Sequence, residues 1–145
     1  MSRKLEDYLP PVKEDGVLTA KGITSSSSTA GIGYATGAGS TVTQATNRTT
    51  GVTINAICGT ITTNNASLAA EGTAKFTVTN SAVAIGDTVV VSQQSGSNGG
   101  GTIVHVTTVA AGSFEIAVHN GNVAAGTAET GAILINFAVI KTVSA

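Results

Sequence analysis

The chain has 145 residues, a formal net charge of −1 and 10% charged residues, with two prolines and one cysteine. This length suits one compact domain with an appendage. The near-neutral charge argues against a nucleic-acid partner, because nucleic-acid-binding proteins carry clustered Lys and Arg, and a single cysteine excludes an intrachain disulfide. Three Phe, two Tyr and no Trp leave the core to small aliphatic side chains, which favours thin sheet-on-sheet packing.

Charge is concentrated at the start of the chain, where the first 22 positions hold eight of the fifteen charged residues. Acidic residues and Pro10-Pro11 stand where a signal peptide needs an apolar core. No later run approaches the ~18 apolar residues of a membrane helix. We therefore expect a soluble protein without a secretion signal and without a membrane partner. The lone Cys58 fits assembly in a reducing cytoplasm.

Apolar residues are interspersed with these leader charges. Over residues 2–9 they recur at helical spacing until Pro10-Pro11 ends the pattern, and residues 12–23 are more typical of an extended segment. Two interpretations stay open, a frayed terminus or an arm that becomes ordered on a partner. We predict an attachment arm, whose apolar contacts are Leu5, Tyr8, Leu9, Val12, Val17, Leu18 and Ile23.

A run of Ser and Thr over residues 24–29 has the composition of a linker and marks the domain boundary. We predict an N-terminal arm with a Ser-rich linker over residues 1–30 and a β-sandwich domain over residues 31–145. The glycines that follow have a spacing similar to phosphate-binding loops, but no strand precedes them and no helix follows. We expect them to let the backbone turn or approach another chain closely. They are Gly31, Gly33, Gly37 and Gly39.

Beyond residue 51 the apolar residues alternate with polar ones, which is the pattern of half-buried strands. Ser95 to Gly101 is too rich in glycine for a strand and is predicted to be an exposed loop. Short strands separated by turn signals predict an all-β, antiparallel β-sandwich, jelly-roll-like or Ig-like in layout, with no strand order fixed. The predicted strands cover residues 52–56, 57–63, 75–80, 88–92, 102–109, 114–118 and 132–143.

Two of these elements carry specific expectations. The segments on either side of Ala110–Ser113 form the clearest predicted hairpin. The last strand is the longest apolar one and is predicted to be central to the core. Its inward face is predicted to be Ile133, Ile135, Phe137, Val139 and Val143.

Candidate catalytic or metal-binding residues are few. His105 and His119 fall on neighbouring strands of the hairpin, and two ligands are too few for a closed zinc site. We interpret them as polar-face residues, although a threefold axis could still assemble a ring of histidines. No strained nucleophile turn is present, and the domain's four carboxylates are interpreted as solvated rather than as a catalytic pair. We expect no enzymatic activity, no cofactor and no metal. The carboxylates are Glu71, Asp87, Glu115 and Glu129.

The stretch Gly31 to Cys58 reads GIGYATGAGSTVTQATNRTTGVTINAIC. Its GYATGAG, VTQAT and GVTIN elements, together with INFAVIK at residues 135–141, resemble a recurrent domain in virion structural proteins of tailed bacteriophages. Ser40 stands where related proteins often have a second glycine, and the arm lies outside the resemblance.

The resemblance implies a structural role in the virion. Our first hypothesis is a capsid decoration (cement) protein that binds the outer surface of the major capsid protein, forms a homotrimer and is assembled in the host cytoplasm. The alternative is a head or tail fibre, or adhesin domain, that recognises host surface glycan through Ser95 to Gly101.

Overall fold

A computed structural model of the chain describes residues 22, 25–29, 31–97, 101–123 and 126–142. The chain divides into two units, Met1–Gly33 and Tyr34–Ala145. The predicted attachment residues lie outside the described residues, so the arm stays a prediction; they are Leu5, Tyr8, Leu9, Val12, Val17, Leu18 and Ile23.

The described part of the second unit contains strands joined by turns and loops, and no helix. The all-β prediction is therefore confirmed. The strands are β1 (Gly39–Thr43), β2 (Val52–Thr53), β3 (Cys58–Thr62), β4 (Thr73–Thr79), β5 (Thr88–Ser95), β6 (Thr102–Ala110), β7 (Ser113–Asn120) and β8 (Leu134–Ile140).

Two four-stranded sheets pack face to face. The first sheet has the order β1-β3-β8-β5 and the second has the order β2-β4-β7-β6. In the antiparallel pairs, β8 lies between β3 and β5 in one sheet, and β7 lies between β4 and β6 in the other. The pairs are nested in sequence, because the β4–β7 pair lies within the segment bounded by β3 and β8. This nesting gives the six strands β3 to β8 the predicted jelly-roll-like antiparallel layout.

Two pairings are parallel, which the sequence pattern did not predict. β1 runs parallel to β3, and β2 runs parallel to β4. Each of the first four strands lies in the opposite sheet from the one before it. Because two crossings restore the chain direction, strands two apart in sequence become parallel neighbours, and both sheets are mixed.

The core lies between the sheets and consists of Val, Ile and Phe side chains. β8 and the residue before it supply the predicted face, because Ile133, Ile135, Phe137 and Val139 are all buried. Phe137 packs on Phe114 of β7 with ring centroids 5.5 Å apart. This contact joins the two sheets, and the central position of β8 is confirmed. The predicted fifth member, Val143, lies outside the described residues.

The predicted hairpin is also confirmed. β6 and β7 pair along their length, and the turn between them consists of Ala111 and Gly112, with Gly112 at φ +77°. A second glycine serves close approach rather than a turn. A Cβ atom on Gly59 of β3 would lie 2.3 Å from the carbonyl oxygen of Ser40 on β1. Glycine is therefore required for these two strands to pair here.

Candidate functional site

The two histidines lie on the outer face of the second sheet, as predicted. In the register of the hairpin His119 pairs with Ile103 and His105 pairs with Ala117, so the histidines are diagonal neighbours. His119 Nδ1 lies 2.9 Å from Thr73 Oγ1. The described residues contain no group of three His, Cys, Asp or Glu side chains placed to hold a metal ion.

Glu115 lies on the same outer face beside an open cavity of about 180 Å³. Its Oε1 accepts a hydrogen bond from Thr107 Oγ1 at 2.5 Å and lies 3.6 Å from Lys75 Nζ. Glu115 is the one carboxylate that lines the cavity, so the paired carboxylates of a glycosidase are not assembled there. The lining residues are Thr77, Thr108, Ala110, Ser113, Phe114 and Glu115.

The interpretation of Asp87 as a solvated carboxylate is wrong. Asp87 is 6% exposed, and its Oδ2 accepts hydrogen bonds from the Ala84 amide at 2.8 Å and from Lys141 Nζ at 2.5 Å. These donors stabilise the ionised form, and the Ala84 amide contributes most, so the pKa of Asp87 lies below its ordinary value. Asp87 therefore fixes the turn before β5 to the end of β8.

Glu129 is also buried rather than solvated, with 0% exposure. Its Oε2 accepts hydrogen bonds from Ser97 Oγ at 2.8 Å and Thr102 Oγ1 at 2.7 Å, and its Oε1 accepts one from the Gly131 amide at 2.9 Å. A buried carboxylate needs such donors to replace water. Glu71, by contrast, is exposed as predicted.

Arg48 completes this buried network. The guanidinium donates to the carbonyl oxygens of Ala66, Glu129 and Gly131 at 2.5, 3.2 and 2.7 Å. Burial lowers the pKa of Arg48, and the charge of Glu129 opposes that shift. Arg48 therefore connects its own loop to the loops that contain Ala66 and Glu129. The hydrogen-bonding groups of Arg48 and Glu129 described here are engaged within the protein, so we assign them a structural role.

The outer face of the first sheet carries no charged strand residue, unlike the outer face of the second sheet. None of its outward-facing strand residues is Asp, Glu, Lys, Arg or His. We call it the uncharged face. One row across it runs Thr41, Thr60, Asn136 and Ser92, in which Thr60 Oγ1 donates to Asn136 Oδ1 at 2.9 Å. Its members are Gly39, Thr41, Thr43, Cys58, Thr60, Thr62, Thr88, Val90, Ser92, Ser95, Leu134, Asn136, Ala138 and Ile140.

One end of the uncharged face is apolar and exposed. Val90 and Ile140 are 49% and 51% exposed, and Tyr34, 44% exposed, donates its hydroxyl to the Val139 carbonyl oxygen. Four strands of about five residues give a face of roughly 300 Å². Such a surface can contact a flat protein partner without removing a charge from water.

The loop predicted for glycan recognition is only partly described. Residues 98–100 lie outside the described residues, and Ser97 at its start donates to Glu129. Tyr34 is the one large aromatic side chain that is exposed in the described part of the chain, and it lies beside the first sheet. The glycan prediction therefore stays a prediction.

The glycine-rich stretch forms a turn rather than a nucleotide loop. Gly37 adopts φ +94° in a turn closed by a hydrogen bond from the Ala38 amide to the Ala35 carbonyl at 3.2 Å. A strand, β1, follows it. A dinucleotide-binding loop would be followed by a helix, so this geometry does not support a phosphate site.

Comparison of the chain with protein-family models, curated protein sequences and solved structures gives no match. Among the described residues, no helix has the length and apolar character needed to cross a membrane. The fold defines the class, a β-sandwich with one uncharged and one charged outer face.

Proposed function

We propose that this protein is a non-enzymatic capsid decoration protein of a tailed bacteriophage, which binds the outer surface of the major capsid protein and stabilises the head. It is assembled in the host cytoplasm and remains on the capsid surface. The proposal is supported by the resemblance of residues 31–145 to virion structural proteins, strongest in residues 33–39, 42–46, 51–55 and 135–141, and by the chemistry of the uncharged face.

The observation that carries the proposal is the difference between the two outer faces. The second sheet displays Lys75, Glu115, His105 and His119 to solvent. The uncharged face displays hydroxyl, amide and aliphatic groups alone. A charge-depleted centre is typical of protein contact surfaces, so we infer that the uncharged face lies on the capsid.

At roughly 300 Å², the uncharged face is smaller than the ~800 Å² per partner of a stable interface. We propose that the N-terminal arm and a homotrimer supply the remaining affinity. Three weak contacts joined through one trimer bind far more tightly than one contact alone.

The test is co-sedimentation with purified phage heads. Val90→Lys places a charge on the uncharged face, and we expect its apparent affinity for heads to fall by about tenfold or more. Ile103→Lys is the matched control, because Ile103 is 55% exposed on an edge strand of the other sheet. Equal affinity of both variants for heads would show that the uncharged face does not contact the capsid.

The alternative function, a fibre or adhesin domain, is supported by the open cavity beside Glu115. Hydroxyls of Thr77, Thr108 and Ser113 line it together with that carboxylate, and such groups form hydrogen bonds to sugars. The test is binding to a glycan array. Binding to glycans that is lost in Glu115→Gln, together with no binding to purified heads in co-sedimentation, would favour this function over capsid decoration.

A further inference from the structure

The four sheet edges differ in how they are protected against pairing with another chain. An unpaired edge presents free backbone groups, and proteins block such edges with short strands, bulges, charges or proline. In the described part of the chain β2 has only two residues, β5 has a bulge between Gln93 and Ser95, and β6 has one between Val106 and Thr108. β5 and β6 also contact each other across the sandwich, and β1 and β2 do so to a smaller extent.

The β1 edge carries none of these protections. Its five residues, GSTVT, include no charge and no proline, and its register with β3 is unbroken from Gly39 to Thr43. Four of the five residues are exposed, and Val42 is half-buried. β1 is therefore an edge that can accept another strand.

The backbone groups available for pairing can be identified. The amide of Gln44 donates to the Thr62 carbonyl of β3 at 2.9 Å. Amides alternate in direction along a strand, so those of Ser40 and Val42 also point toward β3. The amides and carbonyls of Thr41 and Thr43 point away from β3, toward the open side of the sheet.

We propose that β1 pairs with β1 of a second copy of this chain, antiparallel, around a twofold axis at Val42. Such an axis requires a surface that complements itself. Here Thr41 of one copy lies opposite Thr43 of the other, so their outward amides and carbonyls satisfy each other on both sides of the axis. Because the strand has no charge, no like-charge pair forms when the copy meets itself.

The segment is suited to this register by its own symmetry. Threonine stands on both sides of Val42, and threonine pairs directly opposite each other stabilise antiparallel strands. At the axis the two Val42 side chains lie in a non-hydrogen-bonded pair, the closer of the two antiparallel geometries. A partner strand of different sequence would not be matched in this way.

Pairing of this kind joins the two first sheets into one continuous sheet of eight strands. The uncharged faces of the two copies then become one surface of roughly twice the area. The contact goes beyond the proposed function and is separate from the proposed threefold association, since it uses the β1 edge of each copy. Loss of the edge contact leaves trimers, whereas loss of the threefold contact leaves dimers.

The register is tested by disulfide trapping in a Cys58→Ser background. Thr41→Cys and Thr43→Cys variants are oxidised separately and as an equal mixture, and the cross-linked dimer is measured on denaturing gels. Cysteines directly opposite are about 5.5 Å apart between Cα atoms, whereas identical positions are diagonal and beyond the ~7 Å limit for a disulfide. We expect the dimer in the mixture only.

A dimer formed equally by either variant alone, or no dimer in the mixture at millimolar protein, would overturn the proposal. A second measurement uses sedimentation velocity of Thr41→Pro, which removes one outward amide at an edge position that tolerates proline. We expect it to weaken self-association by at least about tenfold. Thr41→Val keeps the amide and should associate as the parent does; equal association of both variants would also contradict the contact.

Discussion

Arg48 donates a hydrogen bond of 3.2 Å to the carbonyl oxygen of Glu129, 81 positions away in sequence. Arg48 is 4% exposed and Glu129 is fully buried. The guanidinium therefore takes the place of water as the hydrogen-bond donor to the loop that contains Glu129. Removing Arg48 leaves three carbonyl oxygens without this donor and the Glu129 charge without its nearby cation.

We expect Arg48→Met to lower the free energy of unfolding by about 3 kcal/mol, because Glu129 and three carbonyl oxygens lose charged or hydrogen-bonding partners. Urea unfolding followed by circular dichroism measures the change. Lys75→Met, at a largely exposed ion pair, is the control and should change stability by less than about 1 kcal/mol. A similar decrease in the free energy of unfolding in both variants would show that the buried network stabilises the protein no more than the exposed ion pair does.

Phe137→Ala should cost about 3 kcal/mol or more, because it opens a cavity at the contact with Phe114 between the sheets. The same unfolding measurement applies. Ser92→Ala on the uncharged face keeps the strand while removing one exposed hydroxyl, and we expect almost no change. A loss below about 1 kcal/mol for Phe137→Ala would contradict the register of β8.

Asp87 predicts how stability depends on acid. Its folded pKa lies below its unfolded value of 3.8, so the unfolded state takes up a proton first as the pH falls. The stabilisation is therefore complete well above pH 3.8 and is lost as the pH falls through the folded pKa. Asp87→Asn should reduce this loss. Unfolding curves between pH 7 and pH 2 for both proteins test it, and parallel curves would contradict the assignment.

Gly59→Ala should destabilise the protein by about 2 kcal/mol, because the new Cβ would meet the Ser40 carbonyl oxygen at 2.3 Å and force β1 away from β3. Gly33→Ala is the matched control, since no atom lies within 4 Å of a Cβ built there. Thermal unfolding distinguishes the two. Unchanged stability of Gly59→Ala would mean that the β1 and β3 backbones can separate without cost.

The role of the N-terminal arm is tested by a variant that begins at Thr29. The described core residues belong to the second unit, so we expect this variant to fold and to form trimers. We also expect it to lose binding to purified heads in co-sedimentation, because the apolar residues of the arm are absent. Binding equal to that of the full-length protein would assign the contact to the β-domain alone.

The sequence predicted the elements whose side chains alternate. Phe76 and Val78 on β4 and the aliphatic face of β8 are buried as the pattern indicated. β1 is not among the predicted strands, because GSTVT has one apolar residue and offers little alternation. Strand order was beyond prediction, since it depends on which sheet each strand joins after a crossing.

The buried carboxylates show a different limit. Nothing near Glu129 in the sequence indicates burial, because the hydroxyl donors to its carboxylate, Ser97 and Thr102, lie about 30 positions away, and Arg48, which bonds its backbone carbonyl, lies 81 positions away. Asp87 is a mixed case, because its contact with the Ala84 amide is local whereas its other partner, Lys141, is 54 positions away. Local pattern reports the face of a strand, whereas the fate of a loop carboxylate depends on the tertiary structure around it.

The place of β8 in the first sheet has a consequence for biosynthesis. β8 is the last of the described strands, yet it lies between β3 and β5, which have no other shared neighbour. During translation the first sheet therefore cannot form completely until residues 134–140 have left the ribosome. Until then the edge of β3 that pairs with β8 has no partner strand. Long-range pairing of this kind folds slowly and exposes strand edges to neighbouring nascent chains. Folding of this protein during synthesis therefore depends on β3 staying unpaired with other chains until β8 emerges.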